Sequence, residues 1–65
     1  MKVTYDERAD AVYIAFGKGP ATVQEVAEGV ALDWDSEGKL LGIEILDASK
    51  RVANPEVLRE WAQEG

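Results

Sequence analysis

Polar and apolar residues alternate along most of this chain with a period of two, the signature of strands that bury one face. Val3 and Tyr5 alternate with Lys2 and Thr4, and after the polar DERA the run from Ala11 places Val12, Ile14 and Phe16 on one side. A four-residue loop from Asp6 to Ala9 pairs Val3 with Val12 and Tyr5 with Asp10, predicting a first hairpin. The GKGP segment, Gly17 to Pro20, then breaks the pattern, since its glycines tolerate positive φ and its proline ends ladder pairing. A third strand is predicted within Thr22 to Ala27. Its alternation slips at Gln24 and Glu25, which predicts an edge position or a bulge.

The strongest register signal comes next. With Ser36 to Lys39 as the loop and Gly38 as its left-handed residue, Trp34 faces Leu41, Leu32 faces Ile43 and Val30 faces Ile45. A shift of one residue sets Leu32 against Gly42 and Val30 against Glu44, so the aliphatic pattern selects the first alignment. Ala31, Asp33 and Glu44 then share the opposite face, with Gly42 bare beside Asp33. Beyond Leu46, the segment DASKRV begins with Asp47, a suitable N-cap for one helical turn. In ANPEVLREWAQEG, Asn54 is the N-cap, Pro55 the first helical residue and Glu56 an acid favoured by the macrodipole. Val57, Leu58 and Trp61 form one stripe and Ala53 staples to Leu58. The expected fold is α+β: an antiparallel meander of about five strands with a short C-terminal helix packed on one face. It is expected as a single domain over residues 1–65, divided into a sheet (1–46), a turn (47–52) and a terminal helix (55–63).

Length and charge narrow the functional classes. A 65-residue chain buries only about 60% of its unfolded surface. With no cysteine or histidine there is no disulfide, thiolate or imidazole zinc site to compensate. Self-association, most simply as a homodimer, is the expected aid. Trp34 and Trp61 are read as core residues first, and Tyr5 and Tyr13 as packing aromatics. The net charge of −6 disfavours nucleic acid and acidic lipid surfaces and suits a small basic partner protein. The charged N-terminus lacks a signal-peptide pattern and no apolar run spans a membrane, so a soluble, cytoplasmic protein is expected.

Several short motifs occur together: Tyr5-Asp6, Ala9-Asp10-Ala11, Tyr13-Ile14, Glu28-Gly29-Val30, the acidic Asp33 to Asp35, Gly42-Ile43-Glu44 and Leu46-Asp47-Ala48-Ser49. Over roughly Met1 to Val52 this combination resembles the small bacterial proteins grouped as domain of unknown function 2283. The resemblance implies no activity, cofactor or catalytic residue. It implies an association with partners similar to small toxin-like ribonucleases, and hence an antitoxin-like binding module.

Two acidic groups are candidates for chemistry. Asp6, Glu7 and Asp10 have oxygen ligands for a hard cation, but aspartate also populates turns, and their spacing matches no calcium loop. They are read as a turn. Asp33, Asp35 and Glu44 form an acidic surface cluster on the outer sheet face. A flat face offers nothing to desolvate a carboxyl for acid–base work, which favours a solvated role. No catalytic or metal-ligating residue and no cofactor is therefore assigned. Without His or Cys no Ser–His or Cys–His pair exists, and no glycine pattern matches a phosphate loop. The expected function is a non-enzymatic protein–protein interaction module. The alternative is a minimal metal-dependent hydrolase using Asp33, Asp35 and Glu44 at an oligomer interface.

Overall fold

The computed structural model describes residues 1–62. Five strands, β1 (Lys2–Asp6), β2 (Ala11–Ala15), β3 (Thr22–Ala27), β4 (Val30–Trp34) and β5 (Leu40–Leu46), precede two short helices, α1 (Ala48–Arg51) and α2 (Val57–Ala62). The protein is α+β, with one antiparallel sheet and the helices on one of its faces. The strands lie in the order β1-β2-β5-β4-β3. Chain-order pairing therefore holds within β1–β2 and within β3–β4–β5, and is interrupted where β5 rather than β3 lies beside β2.

The chain crosses three strand spacings between β2 and β3, about 14 Å. The connection, 16–21, has an extended reach of about 20 Å. It passes over the end of β5: the Phe16 N–H donates to the Leu41 carbonyl at 2.7 Å, and a Cβ on Gly17 would meet Leu41 Cδ2 at 3.2 Å. This contact helps bury Leu41. Phe16 itself is turned out and about half exposed, contrary to the expectation that it extends the apolar row of Val12 and Ile14.

The first hairpin is closed two residues further along than expected. Val3 pairs with Ile14, Tyr5 with Val12 and Asp6 with Ala11, leaving Glu7–Asp10 as the loop. Asp10 closes that loop in the left-handed region at φ 52, which aspartate tolerates better than most residues. A slip of two preserves every residue's face, so the apolar pattern could not separate the two alignments. In the β4–β5 hairpin Val30 pairs with Ile45 and Leu32 with Ile43, as expected. Trp34 pairs with Leu40, not Leu41, because a bulge follows the Asp33–Gly42 pair. A bulge also falls between Glu25 and Ala27 in β3, which is an edge strand exposed along its whole length.

Val12, Ala48 and Leu58 form the buried centre, with Val3, Tyr5, Ile14, Ile45, Val52, Val57 and Trp61 packed around it. Trp61 is in this core, whereas Trp34 lies outside it and donates its indole N–H to Gln24 Oε1 at 2.9 Å. Asn54 Oδ1 accepts the Glu56 N–H at 3.2 Å in a turn that leads into the terminal helix, whose first residue is Val57 rather than the expected Pro55. The regular helix is Val57–Ala62, and residue 63 of the expected span lies outside the described residues. Asp47 does not cap α1. Its left-handed backbone, φ 52, is unlike the extended conformation of an N-cap, and its side chain makes no capping bond. No helix among the described residues is long and apolar enough to cross a membrane.

Candidate functional site

The turn acids Asp6 and Asp10 have separate tasks. Asp6 Oδ1 accepts the N–H groups of Arg8 at 3.0 Å and Ala9 at 3.4 Å, a side chain mimicking a backbone turn. Asp10 reaches across the chain. Its Oδ1 accepts the Tyr5 hydroxyl at 2.6 Å and the Ser49 N–H at 3.0 Å, and its Oδ2 accepts the Ser49 hydroxyl at 2.7 Å. The Ala48 N–H donates to the Asp10 carbonyl at 2.8 Å. Asp10 thus caps α1 from 38 and 39 residues away, the role the sequence suggested for Asp47. The Tyr5 bond, followed by those from Ser49, holds the Asp10 carboxyl below its ordinary range. In return the Asp10 bond, with burial and the charges of Asp10, Glu7 and Asp6, pushes the Tyr5 phenol up to about 12.

On the other side of the sheet, facing away from the helices, three residues from three strands converge. Tyr13 on β2 pairs with Glu44 on β5, Glu44 pairs with Ala31 on β4, and Asp33 pairs with Gly42 on β5. The Tyr13 side chain lies over Gly42, where a Cβ would meet Tyr13 Cζ at 2.6 Å and the Ile14 carbonyl at 2.9 Å. Only glycine leaves this path open, and through it the Tyr13 hydroxyl donates to Asp33 Oδ2 at 3.0 Å. Asp33 is the only buried charged residue among the described residues, at 6% exposure. Its other oxygen, Oδ1, is buried without a protein hydrogen-bond partner.

Glu44 is the diagonal neighbour of Asp33 in the ladder, within reach of its side chain. Hydrogen bonding to Asp33, then burial, then the Asp33 charge raise the Glu44 carboxyl above its ordinary value. Burial first, and then the bond to Asp33, raise the Tyr13 phenol as well. The expectation of a fully solvated acidic face is corrected here, because the Tyr13 ring supplies cover that a bare sheet lacks. Tyr13 is the functional residue missed by reading local alternation. Its signal was Gly42 opposite Asp33, a gap that calls for a long side chain from a neighbouring strand.

The three predicted acids do not form one cluster. Asp33 and Glu44 come together, but Asp35 is committed to the β4–β5 turn. Its Oδ1 accepts the Glu37 N–H at 2.9 Å and the Lys39 N–H at 2.8 Å, while Gly38 takes φ 81. On the β1–β2 side of Glu44 opens a concavity of about 740 Å³, lined by Thr4, Ala11, Tyr13, Glu44 and Leu46 and by residues of the β1–β2 turn, and Asp33 is not in its wall. Leu46 is half exposed there.

These features define a small α+β domain built on one antiparallel sheet, with helices on one face and a carboxyl pair on the other. Residues 2–49 match the family model described as "Protein of unknown function (DUF2283)", and the chain belongs to that family. The matched segment contains all five strands together with Asp10, Tyr13, Asp33, Glu44 and Ser49. Comparison with curated proteins and with solved structures finds no match.

Proposed function

We propose that the protein is a cytoplasmic, non-enzymatic interaction module that forms a homodimer and takes a small basic protein as partner, an antitoxin-like role. The observation carrying this reading is the extent of the helix-covered core, which draws on β1, β2 and β5 and on no residue of β3 or β4. The α1 turn does fold back, and Ala48 and Val52 join α2 in covering the first half of the sheet. Leu32, Trp34 and Ile43 in the second half are half-buried and stand outside that core.

The open half of the helix-side face is also free of charge. Its residues on β3 and β4 are Thr22, Gln24, Val30, Leu32 and Trp34, whereas Glu25 and Asp33 point to the opposite side. Two copies of a chain with net charge −6 repel one another except where they meet through such a surface. A twofold pairing of this face with itself satisfies both requirements. The hydrolase alternative is left with two of its three carboxylates, because Asp35 is committed to the β4–β5 turn.

Sedimentation over a wide concentration range tests the proposal. The expected mass is twice 7.1 kDa. Trp34→Lys should reduce it to the single-chain mass, whereas Val23→Lys, on the opposite face of the edge strand, should not. A single-chain mass at high concentration, with unfolding independent of concentration, refutes self-association.

A further inference from the structure

The two edges of the sheet are finished differently. β1 carries Lys2 and lies against α2, whose Val57 and Trp61 pack around the same core as Val3 and Tyr5. β3 is exposed at all six positions, Val23 at 60%. Its backbone polarity follows from the ladder. The Leu46 N–H donates to the Gly29 carbonyl at 2.7 Å, so Gly29, Ala31 and Asp33 turn their N–H and C=O groups toward β5, and Val30, Leu32 and Trp34 turn theirs toward β3. Thr22, Gln24 and Ala27 take those bonds, which leaves the N–H and C=O groups of Val23 and Glu25 directed at the open edge. Such an edge is ordinarily blunted by lysine, proline, a bulge or a covering element. The segment 22–25 has none of these, since Pro20 lies before it and the bulge follows it. We propose that Val23 and Glu25 receive an extended, basic segment of a partner protein as a sixth strand, antiparallel to β3. The inference deepens the interaction-module reading by specifying how the basic partner is held, and it rests on that reading.

Charge selects the occupant. Residues 19–38 include the acids Glu25, Glu28, Asp33, Asp35 and Glu37 and no lysine or arginine. Glu25 is exposed on the edge strand itself, and Glu28 is exposed in the turn that follows it. A second copy of this chain is a poor sixth strand, because β3 against β3 lines one seam with the acids of both copies. A basic segment removes that repulsion. In the antiparallel arrangement the hydrogen-bonded pairs fall at Glu25 and Val23, and each of these residues offers one N–H and one C=O to the incoming backbone. Directly opposed side chains on one face interact, so lysine or arginine belongs opposite Glu25 and a β-branched residue belongs opposite Val23. Read from N to C, the recognised pattern is a basic residue, one intervening residue beside Gln24, and an aliphatic residue. The backbone supplies the attachment, and the alternate side chains supply the selectivity.

The probe is the peptide acetyl-Thr-Lys-Thr-Val-Thr-Lys-amide, titrated into the full chain and followed by amide NMR shifts and hydrogen exchange. Its first lysine falls opposite Glu25 and its valine opposite Val23. Saturable shifts are expected at Val23 and Glu25, whose amides should exchange about tenfold more slowly at saturation, while Gln24, already bonded to β4, changes little. N-methylation of the first lysine and the valine, which face β3, should abolish binding. N-methylation of the second and third threonines, which face away, should not. Glu25→Lys should weaken binding about fivefold or more and favour the peptide in which both lysines are glutamate. The proposal is overturned if the two N-methylated peptides bind alike, if shifts are scattered over all surface acids, or if Glu25→Lys leaves affinity unchanged. It is also overturned if the Val23 and Glu25 amides are protected without peptide and Val23→Lys halves the mass, because a second copy then occupies the edge. Sedimentation of the same samples separates the two readings. Edge binding by a single chain supports the sixth strand and refutes only dimerisation, whereas a dimer sensitive to Trp34→Lys but without edge binding refutes only the sixth strand.

Discussion

Replacing Gly42 by alanine places a methyl group in the path of the Tyr13 side chain. The new Cβ would lie 2.6 Å from Tyr13 Cζ and 2.9 Å from the Ile14 carbonyl, both too close for carbon in a folded protein. The tyrosine can swing away, but it then loses its 3.0 Å bond to Asp33 and uncovers that carboxylate. A hydrogen bond to a charged group contributes about 1.5–3 kcal/mol. The Ile14 carbonyl belongs to the ladder and moves only if the β2–β5 pair spreads. Against these losses, alanine restricts the unfolded chain and returns about 0.4–1 kcal/mol. The net expected cost is about 1–3 kcal/mol, a large fraction of the roughly 3–10 kcal/mol typical of a 65-residue domain. Urea unfolding monitored by Trp34 and Trp61 fluorescence measures it. In a Tyr13→Ala background the same substitution should cost markedly less, because only the carbonyl contact remains. A neutral Gly42→Ala variant, or equal costs in the two backgrounds, would refute the placement of Tyr13 over Gly42.

Four further outcomes follow from the side-chain geometry. Tyr5 titrates at about 12 when folded and at about 10 when unfolded, so its contribution is intact below pH 10 and is lost between about 10 and 12; Tyr5→Phe should remove this alkaline loss, and absorbance at 295 nm should show one fewer late-titrating tyrosine. Asp10 has the opposite sign: its depressed folded value gives stability above about pH 4 that disappears as the pH falls through that value, and Asp10→Asn should flatten the acid limb of a urea-midpoint profile. Glu44, raised when folded, contributes stability at low pH that is lost as the pH rises through its folded value, so Glu44→Gln should remove that loss; an unchanged pH profile in Glu44→Gln would refute the influence of Asp33 on Glu44. Gly29 has φ 77 and its missing Cβ would lie 2.5 Å from Arg51 Nε, so Gly29→Ala should cost about 1–2 kcal/mol for the backbone plus the displacement of Arg51 from the Leu46 carbonyl. Combining it with Arg51→Ala should leave only the backbone share in the urea midpoint.

The β4–β5 alignment was legible because Val30, Leu32, Ile43 and Ile45 leave only one register in which large aliphatics face each other. The first hairpin was not, because Val3, Tyr5, Val12 and Ile14 remain on the same face after a slip of two. What decides it is Asp10, fixed by bonds to Ser49 that no local pattern announces. The carboxyl pair was half legible. Placing Asp33 near Glu44 follows from one hairpin, but burying Asp33 needs Tyr13 from β2, and β2 meets β5 through a pairing that skips two strands. The meeting of the two acids was thus written in local alternation, whereas the cover over them was written in topology.

The crossover between β2 and β3 also determines the order in which the sheet is assembled. Asp6 and Ala11, which close the first hairpin, are five positions apart, and Ala27 and Val30 are three apart, whereas Ala15 and Gly42 on the β2–β5 seam are separated by 27. Closing the seam carries an entropic penalty about 1.5 kcal/mol larger than closing the first hairpin. The β3–β4–β5 unit and the β1–β2 hairpin are therefore expected to form as separate local structures and to dock late on the folding route. Substitutions at Val30 or Leu32 should slow folding, whereas substitutions at Ile14 should chiefly hasten unfolding. Until the seam closes, β5 has a free edge, and the 16–21 connection with Gly17 and Gly19 is a hinge long enough to let another chain's hairpin occupy it. Refolding at high concentration is the condition under which two copies would exchange hairpins, a route to paired chains independent of the apolar face.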